Sequence, residues 1–167
     1  FIFFQLVVNV TALLLVLGGS FIGTELPLTI TQMLWVNLIM DTFAAMALAS
    51  LPPESDVMRK KPRKQTDFII NRTIGWAISI VGLLFFGLMF ALLWYFERVA
   101  GVSPRELTIF FTIFVMLQWW NLLNAKTLGG CRTAFHRLMA DKGLLLVLAI
   151  ILVGQWVIVE FGGKMFR

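Results

Sequence analysis

Charge is scarce in this sequence. Only 14% of its 167 residues are Asp, Glu, Lys or Arg, while 59% are hydrophobic. Soluble domains carry about a quarter charged residues, so this composition excludes an ordinary water-soluble globule. Cysteine occurs once, as Cys131, and histidine once, as His136. The lone cysteine leaves no internal disulfide, and the pair offers no ligand set for a soft metal. No stretch resembles a cleavable signal peptide. There is no internal repeat, no low-complexity tract and no loop long enough for a separate globular domain. The chain opens with Phe1-Ile2-Phe3-Phe4, without a methionine or a charged lead-in. That opening predicts a piece of a longer protein, cut at the edge of a membrane span.

What the sequence does hold is apolar residues in long blocks, roughly 1–22, 28–50, 74–96, 107–125 and 143–161. Each has the ~20 residues that cross a hydrocarbon core as a helix. The predicted fold is therefore all-α, a polytopic transmembrane helix bundle of about five spans. The block at 107–125 is the most polar, with Gln118, Asn121 and Asn124. Gly23 and Pro27 predict a tight turn after the first span. Pro52 and Pro53 end the second, because proline cannot continue a helix. Gly101 and Pro104 mark the turn before the fourth, and Gly162-Gly163 break the fifth.

The net charge is +5, and its placement sets the topology. Arg59, Lys60, Lys61, Arg63, Lys64 and Arg72 lie between spans two and three; Lys126, Arg132, Arg137 and Lys142 lie between spans four and five. The positive-inside rule puts loops 51–73 and 126–142 in the cytoplasm. Arg98, Arg105, Lys164 and Arg167 fall on the other side. A short basic loop between spans is a topology signal, so no nucleic-acid partner is inferred from "RKKPRK"; the partner is membrane lipid. Trp94-Tyr95 and the rest of the aromatic load suit interfacial belts and packing.

Asn37 and Asp41 stand out inside "MLWVNLIMDTFAAMALA". Their i, i+4 spacing puts both on one helix face. Asp at a bilayer centre costs about 2.5–3.5 kcal/mol, and such residues mark ion paths or proton relays. Gln5 and Asn9 repeat the spacing in span one, and Gln118, Asn121 and Asn124 form a slanted stripe in span four. Gln5, Asn121, Asn124 and Gln155 read as interhelical glue; Asn9 and Gln118 are candidates to converge beside Asp41. Oxygen ligands suit hard cations. One carboxylate and a few amides fall short of the six to eight oxygens Ca²⁺ takes. Further carboxylates, or carbonyls of an unwound helix, would have to complete such a site.

"QMLWVNLIMDTFAAMALASLPPE" strongly resembles the sixth transmembrane helix of P-type Ca²⁺-transporting ATPases, the plasma-membrane type above all. "FQLVVNVTALLL" resembles the fifth helix, "FVMLQWWNLLNAK" the eighth and "VIVEFGGKMF" the outer end of the ninth. The resemblance implies that residues 1–167 are the C-terminal transmembrane transport domain of such a pump, helices five to nine. It implies that Asn37 and Asp41 are the main Ca²⁺ ligands, with Asn9 and Gln118 in support. Ala12, Met40 and Gln118 stand where two-ion reticulum-type pumps carry Glu, Thr and Glu, which implies a single Ca²⁺ site. Ca²⁺ would be the transported ion. Mg²⁺ and ATP would act through upstream cytoplasmic domains, and upstream helices one to four would be the other partners. The fragment itself would have no catalytic residues, and its place would be the plasma (inner) membrane. The rival readings are a segment of an ATP-independent cation channel or cation/proton antiporter, and a structural membrane subunit without an ion site.

Overall fold

The computed structural model describes residues 1–23, 28–51, 70–127 and 141–162. The basic cluster Arg59–Lys64, His136, Cys131, the turn expected at 23–27 beyond Gly23, and Gly163 lie outside the described residues. Within them are five helices, each long and apolar enough to cross a membrane: α1 (Ile2–Ile22), α2 (Ile30–Ala49), α3 (Arg72–Val99), α4 (Pro104–Thr127) and α5 (Lys142–Phe161). No strand occurs among the described residues. The five expected spans are all present, and the polar fourth is a continuous helix.

Local chemistry sets the ends. Gly23, at φ 90°, closes α1 in the left-handed conformation that glycine adopts without a Cβ clash. Thr29 and Gln32 form a capping box for α2, with Thr29 N–H donating to Gln32 Oε1 at 2.9 Å. Asn71 caps α3 by accepting from the Ile74 N–H at 2.8 Å. The third helix outruns its expected end at 96: it passes the half-exposed Trp94 and Tyr95 as α-helix, widens into a π-helical turn from Phe96 and stops before Gly101, at φ 80°.

Interhelical contacts define the arrangement. α1 runs parallel to α3, with Val10 and Thr11 against Gly82 and Gly18 under Phe86 and Phe90. α4 is antiparallel to α1, α5 is antiparallel to α4, and α5 also packs along α2. Small residues permit the closest approaches, as expected where lipid removes the hydrophobic drive between helices. All five helices contribute to one core, including Phe4 and Val8, Met40 and Ala44, Met89, Phe110 and Phe114, and Leu148 and Ile151. A smaller cluster, Phe3, Val7, Ile78 and Phe85, fills the α1–α3 seam. Leu38, Leu83, Leu88, Leu146 and Val153 point outward. Helices apolar all round suit a lipid surround.

Candidate functional site

α2 is not a uniform α-helix. Residues Trp35–Met40 form a π-helical turn, and the Asp41 N–H bonds to Val36 O, five residues back. The sequence predicts an unbroken span here, and "WVNLIM" contains no Gly or Pro to announce the change. Such bulges occur mostly as single turns within α-helices, frequently at functional sites. The wide turn carries Asn37 and delivers the chain to Asp41.

Asp41 is buried, and its Oδ1 has no hydrogen-bond partner among the described residues. Asn37 is exposed. The i, i+4 spacing therefore does not give the two the same surroundings: the neighbouring helices cover Asp41 and leave Asn37 uncovered. Asn9 is also exposed, on α1. Gln118 is fully buried on α4, with Nε2 unpartnered among the described residues.

The helix contacts fix the depth of these residues. Across α4 and α5, Trp119 Nε1 donates to Leu148 O at 3.1 Å, and Gln155 Nε2 to Thr112 Oγ1 at 3.1 Å. That register sets Gln118 level with Ala149. Across α5 and α2, Gly143 lies against Ser50 and Gly154 against Trp35, so Ala149 between them is level with the turn at Asp41. Across α1 and α4, Asn121 reaches Phe4, which brings Asn9 within about one helical turn of the Gln118 level. Asp41, Gln118 and Asn9 thus share a layer, roughly 12 Å from the same end of the bundle at 1.5 Å per residue. The structure brings Asp41 and Gln118 into the interior of that layer and leaves Asn9 and Asn37 on its outside.

The amide stripe of α4 divides. Asn121 Nδ2 donates to Phe4 O at 3.2 Å and to Gln118 Oε1 at 3.4 Å, which ties α4 to α1 and orients the Gln118 amide. Asn124 is exposed. Asn121 therefore acts as the expected glue and also as a support for Gln118, a link that the i, i+3 spacing signals and that only the fold selects over Asn124. Gln155 is likewise glue, bonded to α4. Among the described residues no three His, Cys, Asp or Glu side chains gather as a metal cluster. The layer offers one carboxylate and amide oxygens, hard donors for a hard cation.

Comparison with known proteins agrees with this architecture. Residues 25–167 match the family described as cation transporting ATPase, C-terminus. The plasma membrane calcium-transporting ATPase 4 of Bos taurus is 37% identical over 178 residues, covering 99% of this chain and 15% of that protein. The plasma membrane calcium-transporting ATPase 2 of Oreochromis mossambicus is 36% identical over 177 residues, covering 99% and 16%. The plasma membrane calcium-transporting ATPase 3 of Homo sapiens is 37% identical over 182 residues, covering 99% and 14%. The chain thus spans about 15% of the length of the curated relatives it matches. With five membrane-capable helices and a family match over most of its length, this chain belongs to the cation-transporting ATPase C-terminal family.

Proposed function

We propose that residues 1–167 form the C-terminal transmembrane transport domain of an ATP-driven Ca²⁺ export pump of the plasma membrane, and carry part of its ion path. Asp41 and Asn37 are the main ligands of one Ca²⁺ site, and Asn9 and Gln118 support it. The observation that carries this reading is Asp41: a carboxylate with an oxygen unpartnered among the described residues, buried at mid-span beside a break in helix regularity. A dehydrated cation is the partner such a group calls for. The exposed amides Asn9 and Asn37 support the same reading, since polar groups at this depth need a polar or protein neighbour. Helices from the rest of the pump would cover them and add the missing oxygens. Mg²⁺ and ATP belong to cytoplasmic domains outside this chain, and phosphorylation there would switch the site between inward and outward access. Loops 51–73 and 126–142 face those domains on the cytoplasmic side.

The test is Asp41→Asn in the full-length pump. Ca²⁺-dependent phosphorylation by ATP should be abolished. A phosphoenzyme that still forms at ordinary Ca²⁺ levels, with the parental Ca²⁺ dependence, would refute the assignment.

A further inference from the structure

Trp35 opens the π-helical turn of α2, and its indole is wedged against α5. A β-carbon on Gly154 would stand 2.8 Å from Trp35 Cη2 and 2.9 Å from Cζ2, so the ring lies directly over the glycine. The next residue, Gln155, is 4% exposed. Its Nε2 donates to Thr112 Oγ1 at 3.1 Å. The Thr112 hydroxyl already donates to Thr108 O at 2.8 Å, so toward Gln155 it can only accept. That constraint turns the nitrogen end of the Gln155 amide to α4 and its oxygen elsewhere. Gln155 Oε1 is buried without a partner among the described residues, and so is Trp35 Nε1. One is an acceptor, the other a donor. Nε1 is two bonds from Cζ2, the ring atom that meets the neighbouring glycine. Neither group can turn to lipid for a partner.

We propose that one buried water joins the Trp35 Nε1–H to Gln155 Oε1, and that through this bridge Gln155 is a positioning residue for the cation site. The water accepts from the indole and donates to the amide oxygen, which satisfies both groups. Trp35 stands at the head of the turn that holds Asn37 and ends at Asp41. Anchoring the indole to α5 therefore anchors the turn that aims the carboxylate. The chain of contact runs Thr108–Thr112 of α4, Gln155 of α5, Trp35 of α2. The inference rests on Asp41 being a cation ligand.

The test uses the full-length pump with Trp35→Phe, Gln155→Leu and the double variant. Phe keeps most of the ring packing and removes the donor; Leu keeps the bulk and removes the acceptor. Ultraviolet resonance Raman difference spectra against Trp35→Phe isolate the Trp35 indole, whose N–H band reports hydrogen bonding. In Gln155→Leu that band should move to the unbonded position; an unmoved band overturns the bridge. The Ca²⁺ concentration for half-maximal phosphorylation should rise about three- to tenfold in each single variant, and no further in the double. Additive rises, or a moved band with parental Ca²⁺ dependence, overturn the positioning role. If Gln155→Leu fails to assemble, Trp35→Phe alone decides: parental Ca²⁺ dependence overturns the role, and the expected rise supports it. The Raman band needs no bound Ca²⁺, so failure of the bridge is distinct from failure of Asp41 as ligand, which the Asp41→Asn phosphorylation assay reads.

Discussion

Asp41→Leu exchanges a buried carboxylate for an alkyl group of similar size. On membrane insertion scales a central Asp is unfavourable by about 2.5–3.5 kcal/mol, and Leu is favourable by about 0.3–0.6 kcal/mol. The full difference of about 3–4 kcal/mol does not all appear as bundle stability. When the helices separate, α2 stays in the apolar phase, where Asp41 can reach headgroups or water. In the assembled bundle its Oδ1 has no such recourse among the described residues. About 1–2 kcal/mol of gain should therefore survive, less for Asp41→Asn, which keeps the polarity and drops the charge. At about 2–4 °C per kcal/mol for a chain of this size, the midpoint should rise by roughly 2–8 °C. The assay is thermal unfolding of residues 1–167 in detergent without Ca²⁺, followed by ellipticity. A gain in stability paired with loss of the Ca²⁺ response is what a group kept for binding shows. If Asp41→Leu instead lowers the midpoint, the carboxylate is a structural tie between helices, and the ion-site reading loses its physical basis.

Two other substitutions should move the same midpoint the opposite way. Asn121→Leu removes the bonds to Phe4 O and Gln118 Oε1 and should cost about 1 kcal/mol; an unchanged midpoint would mean that the α1–α4 tie carries no energy. Gly154→Leu drives a side chain into Trp35 and should cost about 1–3 kcal/mol by overpacking. Adding Trp35→Ala should recover part of that loss, and a double variant no better than the single would place the damage elsewhere.

The sequence alone determined the helices. Crossing lipid requires about 20 apolar residues with every backbone group bonded within the segment, so span number and approximate ends follow from composition. It also singled out Asp41, because a carboxylate in such a block is costly wherever it points. The fold was needed to separate the amides. Asn121 and Asn124 look alike as a stripe, yet one meets the Phe4 carbonyl and the other is exposed. Asn37 and Asp41 look like one face, yet one is exposed and the other buried, because only Asp41 is covered by neighbouring helices. No residue in that turn is a helix breaker, so no local signal announces it, and at its head Trp35 sits on Gly154 of a helix more than a hundred positions away. Intrahelical hydrogen bonds are local and can be read from a window of sequence. The depth and direction of a polar side chain depend on which helix lies opposite, and that is a property of packing.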